Sequence, residues 1–186
     1  MKLAAVVLAG GQGSRMQGRD KGLVEYHAKP MIEHTLKVLD DRIEQRLISC
    51  NRNLSDYLPL ADTVVCDRLS GFLGPLAGVH AAMEATDADY LLVLPCDTPD
   101  LSAELVASLI DTSVSNPDCI IFLRAGEDVH PLHAVIPTSH KVALADYLID
   151  GGRAVRRWYA QYPCHVLDID ECQAKQLRNI NHLADL

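Results

Sequence analysis

Glycines and cations share one short stretch of this chain, and far along it a carboxylate ends an apolar run; together they suit phosphate chemistry. The apolar run Leu3–Leu8 stops at Ala9-Gly10-Gly11-Gln12-Gly13-Ser14-Arg15-Met16, and Gly18-Arg19-Asp20-Lys21 follows. Glycines let a backbone bend sharply and approach a ligand closely. Consecutive amide N–H groups in such a loop form an anion-binding concavity. Arg15, Arg19 and Lys21 add positive charge, so the stretch predicts nucleotide phosphate bound at the carboxyl end of a first strand. The loop is not a dinucleotide fingerprint, because Gly11-Gln12-Gly13 is followed by Ser14-Arg15-Met16 and the third glycine is missing. Nor is it a P-loop: Gly13 and Gly18 have the spacing, but Arg19-Asp20 stand where Lys and a hydroxyl residue belong. The competing reading is a tight turn and nothing more.

Asp97 is the sharpest single residue. It ends the run Leu91–Cys96, where a carboxylate is costly without a partner. Its hard oxygens suit Mg²⁺, which binds through one or two carboxylates alongside substrate phosphates and water. The alternative is a helix cap, since Asp97 and Asp100 both precede a helix that Ser102 also can cap. Asp67, after Val64–Cys66, reads as a base or ribose contact or as a loop-ordering Asx turn. Asn51, after Leu47–Cys50, reads the same way. His130 and His133 could suggest a metal pair, but in an extended segment positions i and i+3 face opposite sides. No Ser/His/Asp or Cys/His arrangement is visible from spacing, and nucleotidyl transfer needs no protein nucleophile.

These residues need a frame that brings strand ends together. Strand-like runs fall at Leu3–Leu8, Arg46–Cys50, Thr63–Cys66, Tyr90–Pro95, Cys119–Leu123, His133–Ile136 and His165–Ile169. Helical periods lie between them: Met31–Leu39 behind Pro30, Leu76–Ala85, Ser102 to about Val114, Lys141–Leu148 and Ala154–Tyr159. Strands alternating with helices imply an α/β fold, with a mainly parallel sheet covered by helices on both faces. Leu123–Pro131, with Gly126 at its centre, predicts a hairpin that makes the sheet mixed. In such sheets ligands collect beyond the carboxyl ends of the strands. That edge would carry Gly10, Asn51, Asp67 and Asp97.

With 186 residues, the chain reads as a single domain spanning residues 1–186. A net charge of −8 argues against general nucleic-acid binding, so a phosphate-bearing ligand must meet a local cationic patch. Arg153, Arg156 and Arg157 are a second candidate patch, or a solvated helix face. The six cysteines form no C-x-x-C pair and mostly lie in or beside apolar runs, as reduced, buried cysteines do. No run approaches the ~20 apolar residues of a membrane span. Met1-Lys2 leads into no plausible secretory signal. The expected location is the cytoplasm, with neither nucleic acid nor membrane as partner.

Leu8 to Leu23 resembles the signature of the molybdenum cofactor guanylyltransferases, within the wider nucleotidyltransferase superfamily. The resemblance continues through Lys29–Ile32, Ile48–Arg52, Val65–Asp67, Gly74–Gly78, Pro95–Pro99, His130-Pro131 and Asn179–Asn181. It implies a Rossmann-like three-layer sandwich, nucleotide-binding in its N-terminal half and pterin-binding in its C-terminal half. It implies GTP contacts from Leu8, Ala9, Gly10, Gly11, Gly13, Lys21, Asn51, Asp67 and Asp97, with Mg²⁺ on Asp97. Arg15, Lys21 and Asp97 would be the catalytic set, and Gly78, Asn179 and Asn181 would lie by the pterin cleft. The implied reaction moves GMP from Mg-GTP to the terminal phosphate of molybdopterin, releasing pyrophosphate. Implied protein partners are molybdoenzymes, their chaperones and molybdenum-insertion proteins, in transient contact. Gln17 and His182 depart from the family, which has glycine and threonine there. Rival readings are a cytidylyltransferase for molybdopterin, a nucleotidyltransferase for sugar or alcohol phosphates, and a nucleotide-binding carrier or sensor without turnover. The Gly10-Gly11 pair favours guanine by resemblance.

Overall fold

The structure, a computed structural model, describes residues 1–10, 18–67 and 74–185. The strands are β1 (Leu3–Leu8), β2 (Glu25–Tyr26), β3 (Lys29–Pro30), β4 (Ile43–Ser49), β5 (Thr63–Val65), β6 (Tyr90–Pro95), β7 (Ile120–Ala125), β8 (Asp128–Pro137) and β9 (Cys164–Ile169). The α-helices are α1 (Met31–Lys37), α2 (Leu54–Tyr57), α3 (Pro75–Glu84), α4 (Ala103–Ser115), α5 (Lys141–Ile149), α6 (Val155–Tyr159) and α7 (Glu171–Lys175). Seven strands form one sheet in the order β5-β4-β1-β6-β8-β7-β9, and β2 and β3 form a separate small hairpin.

β1 is buried on both faces along its whole length, which explains its unbroken apolar run. Ala4, Val6 and Leu8 point into a core shared with Leu76, Val79 and Met83 of α3, Leu144 of α5 and Trp158 of α6. Leu3 and Ala5 point the other way, against Leu105, Val106 and Leu109 of α4. Two dry faces thus follow from the period of two along one strand. Burying each such leucine contributes roughly 1.5–3 kcal/mol.

β1 pairs in parallel with both β4 and β6, and β4 with β5. β8 runs antiparallel between β6 and β7, while β7 and β9 are parallel. The expected mixed sheet is therefore present, and its hairpin turns at Gly126, which has φ +58°. The chain steps outward from β1 to β4 and β5, then returns to place β6 on the other side of β1. The order reverses at β1 and β6, and such a reversal opens a crevice at the carboxyl ends of the strands.

One local expectation is corrected. β8 does not alternate evenly through His130–His133: Phe122 of β7 faces Ala134, but the next residue, Leu123, already faces His130. The extra residues on β8 form a bulge at Pro131, which has no N–H to give a ladder. The bulge turns both imidazoles to the same side, with ring centroids 6.0 Å apart. The cysteines also differ from expectation. All are free, but only Cys50 and Cys96 are buried; Cys164 and Cys172 are exposed. Among the described residues no helix is long and apolar enough to cross a membrane.

Candidate active site

The crevice at the β1/β6 reversal holds the residues that the strand-end rule selects. Asp97 stands two residues past the end of β6. Its Oδ2 accepts a hydrogen bond from Lys21 Nζ at 2.7 Å, and the same ammonium donates to Asn181 Oδ1, also at 2.7 Å. These side chains come from opposite ends of the chain, and each is about one-fifth exposed at the Lys21–Asp97 pair. The other carboxylate oxygen, Asp97 Oδ1, is buried and has no hydrogen-bond partner among the described residues. An orphaned buried oxygen on an ionisable group is costly unless something else binds there.

Asp97 is not the helix cap. Ser102 caps α4, its side chain accepting from Leu105 N at 3.2 Å. Asp100 instead accepts from Tyr26 Oη, 2.9 Å from Oδ1, tying the β2–β3 hairpin to the loop after β6. Thr98 is fully buried, its Oγ1 3.0 Å from Nε2 of buried His133. Burial, with His130 nearby, pushes the His133 pKa down to about 3, so the ring is neutral.

The position of Asn181 is also fixed by the backbone. Ile180 N donates to the Asp97 carbonyl at 2.9 Å, and Ile180 is buried with Val24, Tyr26 and Met31. Asp185 Oδ2 accepts from both Asn181 N and His182 N, at 2.9 and 2.8 Å. Those bonds hold the Asp185 carboxyl below its usual pKa. The segment is thus ordered by a side chain further along, whatever stands at position 182. Asn179 is exposed on the same segment.

Asn51 and Asp67 bind each other. Asn51 Nδ2 donates to Asp67 Oδ2 at 2.8 Å, and Asp67 N donates to Asn51 Oδ1 at 2.9 Å. The pairing follows from the parallel register of β4 and β5, which ends with Ser49 opposite Val65. Gly10 lies close by; a Cβ there would stand 3.8 Å from Asn51 Nδ2. Leu8 and Ala9 are buried at the end of β1. Gly78 is buried in α3, where a Cβ would collide with Ser49 Oγ, so it lets the helix approach the β4 end. Arg15, Gly11 and Gly13 lie outside the described residues, as does Gln17. Arg153 gives its guanidinium to the carbonyls of Leu148 and Gly152, which makes it a helix-end contact of α5.

Asp20 carries no role in the sequence reading, yet it is the most heavily bonded carboxylate in the region. It is 6% exposed. Its Oδ1 accepts from Gly22 N and Tyr57 Oη, and its Oδ2 from Asn53 Nδ2. Arg52 Nε stands 3.6 Å from Oδ2, while the rest of that guanidinium donates to the carbonyls of Gly18 and Arg19. The only hint in the sequence is that Asp20 adjoins Lys21, and Arg52 and Asn53 adjoin Asn51.

Among the described residues no group of three or more His, Cys, Asp or Glu could hold a metal ion by itself. One free carboxylate oxygen still fits a hard cation that takes its remaining ligands from phosphates and water.

The model of the MobA-like NTP transferase domain matches residues 5–166. A molybdenum cofactor guanylyltransferase of Shewanella sp. (strain MR-4) is 41% identical over 162 residues, covering 87% of this chain and 82% of that protein. One of Shewanella putrefaciens (strain CN-32 / ATCC BAA-453) is 37% identical over 185 residues, covering 100% and 94%. Among solved structures, molybdopterin-guanine dinucleotide biosynthesis protein A of Archaeoglobus fulgidus superposes with a TM-score of 0.78, at 22% identity, covering 98% of this chain and 94% of that one. That likeness is one of fold.

Proposed function

The chain belongs to the MobA-like NTP transferase domain family, and from that premise we propose that it transfers GMP from GTP to the terminal phosphate of molybdopterin. The names carried by relatives at 37–41% identity support this reading. The observation that carries it is the Lys21 ammonium held between Asp97 and Asn181, beside the unpartnered Asp97 Oδ1.

In the reaction an oxygen of the acceptor phosphate attacks the α-phosphorus of GTP. A new P–O bond forms, the bond from the α-phosphorus to the bridging α–β oxygen breaks, and pyrophosphate leaves with that electron pair. No covalent enzyme intermediate is needed, so the protein acts by positioning and electrostatics. Lys21, with Arg15 and the amides of Gly11 and Gly13, holds the leaving phosphates. Leu8, Ala9 and Gly10 lie along the nucleotide, while Asn51 and Asp67 face its base and ribose. The N1–H and N2–H donors of guanine suit a carboxylate such as Asp67. Asp97, with its unpartnered carboxylate oxygen, would hold Mg²⁺, which would supply positive charge against that developing on the phosphates. Gly78, Asn179 and Asn181 border the pterin.

We read residues 1–186 as one catalytic unit, nucleotide in its N-terminal half and pterin in its C-terminal half. It works in the cytoplasm and meets molybdoenzymes, their chaperones or molybdenum-insertion proteins only transiently.

Asp97→Asn tests the metal site, because it keeps the size but removes the charge that a hard cation needs. Turnover with Mg²⁺ should fall at least ~10²-fold while the thermal melt stays near wild type. A normal melt with near-normal pyrophosphate release would remove Asp97 from the mechanism.

A further inference from the structure

We propose that Asp20, Arg52, Asn53 and Tyr57 form a positioning clamp for Lys21, locking the phosphate-binding end of the loop to the segment that carries Asn51. This rests on the reading of Lys21 as a phosphate contact.

Lys21 sits between two anchored neighbours. On one side, the Asp20 carboxylate is buried and fully engaged by an amide, a phenol and a carboxamide. On the other, the Gly22 amide is one of those donors, and a Cβ on Gly22 would come within 2.5 Å of Tyr57 Oη. The turn Lys21–Leu23 therefore presses against the phenol with no room for a side chain. Arg52 holds the preceding carbonyls of Gly18 and Arg19 at 3.0 and 2.8 Å. Asn53 adopts left-handed backbone, φ +52°, a region asparagine tolerates better than most residues. Tyr57 is wholly buried with Val7 and Ile48, anchoring the clamp in the core.

Two features separate this from ordinary packing. Every donor around Asp20 except Gly22 N comes from the short stretch 52–57, just after Asn51. The carboxylate thus bridges the two segments that hold opposite ends of the nucleotide. In addition, the turn it caps carries the ammonium that reaches Asp97 and Asn181. Tyr57, Asn53 and Arg52 touch no reacting atom; they act through Lys21.

A double-mutant cycle tests this by GTP titration in the presence of Mg²⁺, with kcat/KM as a second readout. Tyr57→Phe keeps the buried ring and removes only the hydroxyl. It should weaken GTP binding and lower kcat/KM by about 10-fold alone, but by less than about 2-fold when Lys21 is already alanine. Asn53→Gly, which keeps the left-handed backbone at the surface end of the clamp and removes the carboxamide, should behave the same way. Equal losses in both backgrounds would mean a merely structural role and overturn the clamp. So would no loss in either background. If the wild-type protein bound no GTP, the reading of the site would fall, and the clamp with it.

Discussion

At the scale of single residues, one ammonium ties the site together. Lys21 lies 2.7 Å from a carboxylate and 2.7 Å from a carboxamide that are 76 and 160 positions away. An ammonium held by its neighbours needs little reorganisation when negative charge develops beside it. Lys21→Ala should lower kcat/KM for GTP by roughly 10²-fold, the scale of losing one electrostatic contact to the transition state. Steady-state pyrophosphate release measures this, and unchanged turnover would reduce the loop to a structural turn. Lys21 and Asp97 were legible because each type was out of place, a cation among glycines and a carboxylate after an apolar strand. That they share one site was implied by the family resemblance alone; their direct hydrogen bond was not legible, since contacts across such separations leave no spacing to read. Asp20 escaped notice for a different reason. Apart from the Gly22 amide that it caps locally, its partners are a phenol and a carboxamide from another segment, which form no recognisable pattern in sequence.

At the scale of elements, the strands show where sequence reading works and where it stops. β1 and β6 fall where their apolar runs predict, because both faces are dry. β4 starts at Ile43, earlier than the run Arg46–Cys50, because exposed Glu44 and half-buried Gln45 interrupt the apolar pattern. The four-residue helix Leu54–Tyr57 and the small β2–β3 hairpin are too short to show a period. The β8 bulge has the largest consequence. It breaks the alternation on which opposite facing of His130 and His133 depends, and it sends His133 into the core beside Thr98. The His133 pKa falls from 6.5 to about 3 in the fold. Between those pH values the unfolded chain binds a proton there that the folded chain refuses, so stability rises with pH and is lost on acidification. The contribution approaches about 1.4 kcal/mol per pH unit below the unfolded pKa. Urea unfolding at about pH 7 and about pH 5.5 should show a steeper acid loss for wild type than for His133→Gln. Equal slopes would mean that His133 titrates normally in the folded protein.

At the scale of the whole molecule, an acidic chain that takes a polyanionic nucleotide needs only a few cations placed locally. The net charge is −8, yet Lys21 reaches Asp97 just past β6, Arg52 stands beside Asp20 after β4, and Arg15 and Arg19 belong to the same stretch of sequence as Lys21. The sheet order explains the location, because only there do neighbouring crossovers part and leave strand ends open. The fold alone does not choose the reaction, since one architecture serves many nucleotidyl transfers. In the proposed function, base choice is assigned to Asn51, Asp67 and Gly10, which the fold brings together, and that assignment is the one most directly open to measurement. The protein is incubated with Mg²⁺, molybdopterin and GTP, CTP, ATP or UTP at equal concentration, and the dinucleotide and pyrophosphate are identified. A site that pairs with the polar edge of guanine should favour GTP by roughly 10²-fold or more. The expected product is molybdopterin guanine dinucleotide with matching pyrophosphate; comparable or better use of CTP, or no pyrophosphate with any nucleotide, would overturn the proposed guanylyl transfer.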